Sequence, residues 1–396
     1  VVGVRKIVLL LALMAAAGIS WASTTLASEQ TTRTPAPRVI PGQYIVVLKQ
    51  EVRDPVAVAR EHARRHGAQI LHTYQHTLEG YTAQIPNKRL DEVRADSSVA
   101  YIERDSTVTI AAQKLPWGVD RVDADVSSTR AGNGSGAVTN VNVYVIDTGI
   151  KRHSDLDVVE HVNVHGGRNT DCNGHGTHVA GTLAAEDNKG GVVGVAPGAP
   201  LSGVKVLGCN GSGSVADVIA GIVWVTADAL KPKNFRTPAI ANLSIDTLAN
   251  RALDQSVRAS AASGVFYSVA AGNKGRNACK HSPARAGAGK KGSGIVTTAA
   301  TNMSNREPSW SNYGSCVDLW TPGTAILSTH MGDGETTKSG TSMSAAHVGG
   351  GAALFLSSHR RASPTTVESA LERDATRTGT RSKDGTAIRL LDVRPY

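Results

Sequence analysis

Val141-Asn142-Val143-Tyr144-Val145-Ile146-Asp147-Thr148-Gly149 is the stretch on which the fold turns. Residues 141–146 are β-branched or aromatic at most positions. A strand with one wet face alternates apolar and polar residues. This run reads instead as a strand covered on both faces, as in a parallel sheet between helices. Asp147 follows at its C-terminal end, where open α/β sheets build their sites. By itself, Asp-Thr-Gly after a strand is an ordinary turn.

Working outward from this strand, apolar strand patterns recur at 202–207, 239–245, 265–270 and 295–299. Helical patterns fall near 175–186, 215–230, 251–263, 342–358 and 364–374. Asn250 and Gly264 bracket one helix, and Ser363-Pro364 opens the last. Strand and helix in alternation predict an α/β fold, a mainly parallel sheet with helices on both faces.

Two further segments carry chemistry. Asn173-Gly174-His175-Gly176-Thr177-His178 opens one helix. A zinc pair of histidines would need a third ligand and usually an intervening Glu, which is missing. The flanking glycines and alanines suit a helix packed tightly on a sheet, with His175 exposed at its start. Ser339-Gly340-Thr341-Ser342-Met343-Ser344-Ala345-Ala346-His347 places a hydroxyl where an apolar helix begins. A serine is a poor nucleophile unless a base takes its proton. The free N–H groups and positive dipole end of a helix start favour negative charge there.

Asp, then His, then Ser is one of the chain orders in which a hydrolase triad occurs. VIDTGI, HGTHVAGT and SGTSMSAAH resemble the three active-site segments of the subtilisin-like serine proteases. The resemblance implies Ser342 as nucleophile, His175 as general base and acid, and Asp147 as the carboxylate orienting the imidazole. His178 and His347 are then core histidines. In Ser268-Val269-Ala270-Ala271-Gly272-Asn273, Asn273 resembles the family's side-chain donor to the oxyanion.

The resemblance also implies a cleft that takes an extended peptide between two backbone edges. Gly211, Ser212 and Gly213 resemble one edge, and Ala271 and Gly272 are expected to contact substrate. The other edge, normally Ser-Leu-Gly-Gly, is Ser244-Ile245-Asp246-Thr247. Asp246 is expected to narrow the pocket toward small residues, or to attract Lys or Arg if it points inward. Ala346 stands where the family has proline, and alanine keeps the helix.

The remaining composition bounds the chain at 396 residues, long enough for two globular parts and a leader. Its net charge is +9, but the basic residues are scattered and no RNA-binding signature is present, so no specific nucleic-acid partner is expected. Arg5, Lys6 and the apolar run 7–17 read as a secretory signal, too short to span a membrane. Residues 1–27 are expected to be a signal peptide, 28–41 a flexible leader, 42–110 a propeptide domain and 111–396 the protease domain. The β-α-β-β-α-β pattern of 42–110 predicts a small α+β, ferredoxin-like fold. PGQYIVVLK and VAYIERD resemble the family's inhibitory propeptide, which acts as intramolecular chaperone and inhibitor.

Four cysteines in an exported chain predict disulfides, with three pairings open. Their contexts resemble the aqualysin-type enzymes of the proteinase K family, which implies Cys172–Cys209 and Cys279–Cys316. Asp318 matches that group's carboxylate ligand to a structural Ca²⁺, beside an inserted lysine-bearing loop at 286–294. No cofactor is expected for catalysis. The expectation is a secreted, extracellular, monomeric endopeptidase acting on proteins or peptides and made as a self-processed precursor. Two rival readings are a catalytically impaired exported peptide-binding protein of the same fold and a polyanion-binding surface protein.

Overall fold

The computed structural model describes residues 39–75, 78–106, 113–288 and 292–396. The chain divides into two compact units, Val1–Thr109 and Ile110–Tyr396. The expected signal peptide, most of the expected leader and residues 107–112 of the junction expected between Asp105 and Gln113 lie outside the described residues.

The first unit runs β1 (Val39–Leu48), α1 (Pro55–His66), β2 (Gln69–Tyr74), β3 (Gly80–Gln84), α2 (Leu90–Arg94) and β4 (Val99–Ser106). Its strands form an antiparallel sheet in the order β2-β3-β1-β4. β1 starts at Val39, inside the segment expected to be leader to residue 41. Val39 and Ile40 favour extended backbone, and Val39 pairs with Ser106. Helix α1 has complete end signals: Asp54 accepts from the Ala57 N–H, Pro55 opens the first turn, and Gly67 closes it in the left-handed conformation. Val46, Tyr81, Ala83, Ala59 and Val93 fill the core between sheet and helices.

The second unit begins with α3 (Trp117–Arg121) and the strand read first in the sequence, β5 (Asn142–Asp147). Then come β6 (Val158–Asn163), α4 (His175–Ala184), β7 (Leu201–Lys205), α5 (Val215–Ala229), β8 (Ala239–Leu243) and β9 (Thr247–Leu248). They are followed by α6 (Arg251–Ala262), β10 (Val265–Ala270), β11 (His281–Ser282), β12 (Ile295–Thr301) and β13 (Leu319–Pro322). A hairpin of β14 (Ile326–His330) and β15 (Gly334–Lys338), helices α7 (Thr341–Ser358) and α8 (Pro364–Asp374), and strands β16 (Thr376–Arg381) and β17 (Ala387–Leu390) complete it.

Nine strands form one sheet in the order β16-β17-β13-β12-β10-β8-β5-β7-β6, parallel throughout except where β16 meets β17. Strands after β5 go to its two sides, β6 and β7 to one and β8 onward to the other. The strand order therefore reverses beside β5, the position at which open α/β sheets leave a crevice at their carboxyl ends.

The unbroken apolar character of β5 has a direct structural cause. Val143 and Val145 face one hydrophobic layer, with α4 and α7; Tyr144 and Ile146 face the other, with α5 and α6. α7 is buried from Thr341 through Leu356, against β10 and β12 on one side and α4 on the other. Its small residues permit this. A Cβ on Gly350 would lie 2.6 Å from Cβ of Val195, and one on Gly349 would lie 2.8 Å from Leu183. A helix enclosed on all sides has no room for a polar face.

Candidate active site

The site grows from the carboxyl ends of β5, β8 and β10 and the first turns of α4 and α7. Asp147 ends β5 and is fully buried. His175 is the first residue of α4. Its Nδ1 lies 2.8 Å from Asp147 Oδ1 and 2.9 Å from Oδ2. A carboxylate only accepts, so this pairing puts a proton on Nδ1 and leaves Nε2 for chemistry. Burial works to lower the His175 pKa. The charge and hydrogen bond of Asp147 outweigh it and hold the imidazole above its usual 6.5, against a smaller opposing push from Lys338.

The start of α4 is fixed by Asp171, a residue the motif reading passed over. Its Oδ1 accepts from Thr148 Oγ1, Asn173 N and Gly174 N, and its Oδ2 from Thr177 N and Thr177 Oγ1. Burial opposes the charge, yet these donors hold the carboxyl below its usual range. An acidic residue four positions before His175, ahead of a helix start, was the available signal. Thr148 also accepts from Gly176 N at 2.9 Å, joining the β5 exit to the helix. The approach is close enough that a Cβ on Gly176 would lie 2.0 Å from the Gly149 carbonyl oxygen. Buried Lys205, also unread in the sequence, ties the β5 exit to the β7 exit through the carbonyls of Thr148 and Leu207.

Ser342 is the second residue of α7, 6% exposed. Its backbone N–H is one of the first-turn donors without an intrahelical acceptor. Asn273 lies three residues past β10. Its Oδ1 accepts from Thr341 N at 2.8 Å and Thr341 Oγ1 at 2.9 Å. With the oxygen so held, the amide NH₂ is the end left for a ligand.

His175, Ser342 and Asn273 line one cleft of about 390 Å³, with Gly211–Ser214 along one wall and Ser244–Thr247 along another. Ala271 and Gly272 are buried, with Gly272 beside Asp246 of the cleft wall. Their backbone groups are already engaged, since Asn312 Nδ2 donates to Ala271 O, Asn312 N to Gly272 O, and Gly272 N to Thr341 Oγ1. A larger groove of about 1280 Å³, near Phe235, Arg258 and Arg361, shares no lining residue with this cleft and has no His, Asp, Glu or Cys in its walls.

The other two histidines of the motifs are interior. His178 Nε2 donates to the carbonyls of Ile326 and Thr336, and burial lowers its pKa to about 3. His347 Nδ1 donates to Met343 O, and burial lowers its pKa to about 4. Disulfides join Cys172 to Cys209 and Cys279 to Cys316. The first ties the loop before α4 to the loop that leads into Gly211–Ser214.

Asp318 stands at the expected calcium position, its carboxylate buried just ahead of β13. Its Oδ2 accepts from Thr297 N, and burial, with Glu372 and Glu368 adding repulsion, pushes its pKa to about 7. Among the described residues no group of three or more His, Cys, Asp or Glu is arranged to hold a metal ion.

Comparison with known proteins agrees with this geometry. The subtilase family matches residues 139–387, and the peptidase inhibitor I9 family matches residues 43–111. The chain is 38% identical over 374 residues to an extracellular serine proteinase of Thermus sp. (strain Rt41A), covering 85% of each chain. It is 38% identical over 324 residues to alkaline serine exoprotease A of Vibrio alginolyticus, covering 76% of this chain and 56% of that one. The crystal structure of a cold adapted subtilisin-like serine proteinase superposes with a TM-score of 0.61 at 35% identity, over 70% of this chain and 97% of that one. The chain belongs to the subtilase family: it is a subtilisin-like serine endopeptidase whose sequence carries a peptidase inhibitor I9 domain ahead of the peptidase.

Proposed function

We propose that Ser342, His175, Asp147 and Asn273 carry the peptidase reaction in these roles. Ser342 Oγ attacks the scissile carbonyl carbon as its proton passes to His175 Nε2. The resulting oxyanion is met by the Ser342 backbone N–H and the Asn273 amide. His175 returns the proton to the leaving amine, and Ser342 is left as an acyl ester. Water then attacks that ester by the same proton route and frees the acid. Asp147 stays ionised, fixes the tautomer and stabilises the imidazolium. The observation that carries the reading is the two-point contact of His175 Nδ1 with buried Asp147 at the mouth of the cleft that holds Ser342. The test is casein hydrolysis with and without a serine-directed phosphonylating reagent. Loss of activity and of labelling in Ser342→Ala supports it, and phosphonylation of a different serine overturns it.

The finer assignment is to the proteinase K and aqualysin group, supported by the two disulfides and their sequence contexts. Residues 42–110 act as a ferredoxin-like propeptide that assists folding and then blocks the cleft, with the protease domain from 111. The β-α-β-β-α-β order of the first unit and the I9 match favour this. Residues 1–27 are cleaved as a signal, 28–41 lead into the propeptide, and the mature enzyme is secreted as a monomer. The disulfides and a relative described as extracellular support export. N-terminal sequencing of the secreted protein tests the processing, and Ser342→Ala should remain uncut near residue 110.

A structural Ca²⁺ at Asp318 belongs to the same reading. Its support is the sequence match at Asp318 together with the buried position of that carboxylate, whose Oδ2 accepts from Thr297 N. The carboxylate supplies at most two of the six to eight oxygens calcium takes, so backbone carbonyls and water would complete the shell.

A further inference from the structure

Asp246 forms part of the wall of the crevice that opens at Ser342. β8 and β10 are parallel neighbours, with Leu243 opposite Val269. Their continuations, Ser244–Thr247 and Ala270–Asn273, therefore leave the sheet side by side. The first turn of α7 is fastened to both. Ser244 Oγ donates to the Ser342 carbonyl at 3.1 Å, and Thr341 N and Oγ1 donate to Asn273. On the roles proposed for Ser342 and Asn273, a carbonyl held between them sends the side chain on its acyl side toward the space between these two segments.

Asp246 reaches into that space from the β8 side. A Cβ built on Gly272 of the opposite segment would lie 3.0 Å from both Cγ and Oδ1 of Asp246. The carboxylate is fixed from two further directions. His281 Nδ1 donates to Oδ1 at 2.8 Å, and Lys274 Nζ stands 3.4 Å from Oδ2. His281 is 4% exposed and anchored in turn, because β11 pairs with β9 and sets His281 opposite Leu248 and Ser282 opposite Thr247. One carboxylate oxygen thus accepts from a buried imidazole, and the other faces a half-exposed ammonium.

We infer that Asp246, held by His281 and Lys274, is the specificity-determining residue of this enzyme. It stoppers the crevice beside Ser342, so that cleavage follows Gly, Ala or Ser and neither large apolar nor basic residues. Volume excludes the large side chains. A substrate Lys or Arg gains nothing from a carboxylate that Lys274 already neutralises, since entry would mean displacing one cation with another. The inference rests on the roles proposed for Ser342 and Asn273, and it selects one of the two outcomes the sequence left open for Asp246.

The test is a peptide library varied at the residue before the cut, with active enzyme counted by a fluorophosphonate that labels Ser342. The parent is expected to cleave after Ala at least about ten-fold more efficiently, in kcat/KM, than after Phe, Leu, Lys or Arg. Asp246→Gly is expected to raise kcat/KM for Phe and Leu, relative to that for Ala, about ten-fold or more. Asp246→Asn keeps the volume without the charge and is expected to retain the parent preference, which separates blocking from electrostatics even if the glycine variant folds poorly. A parent that cleaves as well after Phe or Arg as after Ala overturns the inference. So does labelled Asp246→Gly with an unchanged profile, or Asp246→Asn that accepts Phe. A folded parent that takes no label and cleaves nothing overturns the roles of Ser342 and Asn273 instead, and is recognised by the missing label.

Discussion

Thr341 donates both its backbone N–H, at 2.8 Å, and its hydroxyl, at 2.9 Å, to Oδ1 of Asn273. The residue preceding the nucleophile thereby orients the amide proposed to receive the oxyanion. The hydroxyl also accepts from Gly272 N at 3.0 Å, so one side chain joins the β10 exit to the start of α7. Asn273→Ala is expected to lower kcat by about 10²–10³ with KM little changed, a range that comes from subtilisin, a member of the same family. Thr341→Val removes the hydroxyl bond but keeps the N–H, and is expected to lower kcat by about ten-fold. Steady-state kinetics on a peptide anilide separate the two, and an unchanged kcat in Asn273→Ala removes the amide from the mechanism.

The acid limb of activity should report His175. The base must be neutral, so activity rises with pH through its pKa. Burial lowers that pKa, but the Asp147 charge and hydrogen bond raise it to a net position above 6.5. The kcat/KM profile is therefore expected to have its acid midpoint above 6.5. In Asp147→Asn the raising influence is gone. The midpoint should move to lower pH, and kcat should fall by about 10⁴ as the tautomer is lost. A midpoint in Asp147→Asn at or above that of the parent contradicts the assignment.

His178 and His347 should behave in the opposite sense. Burial depresses their pKa values to about 3 and about 4, so both remain neutral in the fold at pH 5 while the unfolded chain binds their protons below 6.5. The unfolded state binds more protons in this window. Each histidine therefore adds stability above pH 6.5 that is lost as pH falls toward its folded value, by about 1.4 kcal/mol per pH unit. In the inactive Ser342→Ala background, His347→Gln is expected to reduce the slope of unfolding free energy against pH by that amount between pH 6 and 4.5. Denaturant melts at several pH values measure it, and parallel slopes would contradict it.

The two disulfides each close a sequence separation of 37 residues. Loop-closure entropy puts the loss on opening one at roughly 4 kcal/mol. Their effects on activity should differ. Cys279→Ser with Cys316→Ser is expected to lower the melting temperature with little change in kcat. Cys172→Ser with Cys209→Ser should also raise KM, since this bond ties the α4 entry to the wall carrying Gly211. Differential scanning calorimetry and kinetics on the same preparations check both statements.

Calcium is tested by removal. A chelator is expected to lower the melting temperature of the parent, and Asp318→Asn, with its carboxylate charge gone, is expected to lose that dependence. A parent that melts at one temperature with and without chelator carries no stabilising ion at this position.

The sequence by itself determined the local features whose cause is local. The β5 run is apolar at every buried position before Asp147 because both faces are covered, which leaves a visible pattern. The small residues flanking His175 and Ser342 are visible for a similar reason, since their helices begin pressed against backbone. Asn250 and Ser363 cap their helices, each accepting from an N–H three residues on. Four strands of the sheet were missed: β6 and β16 are edge strands with polar or half-polar sequences, and β13 and β17 are only four residues each, β13 ending in Pro322. Tertiary structure alone decided the commitments of individual polar groups. Nothing near Asp246 in the chain states that His281 and Lys274 take its two oxygens, or that Gly272 faces its carboxyl. Nothing near Asp171 announces the Thr148 hydroxyl. A carboxylate in solution is satisfied by water whatever its neighbours in sequence. In a folded site it is satisfied by groups that the chain brings from 23 to 35 residues away, and their arrival determines whether it binds, orients or blocks.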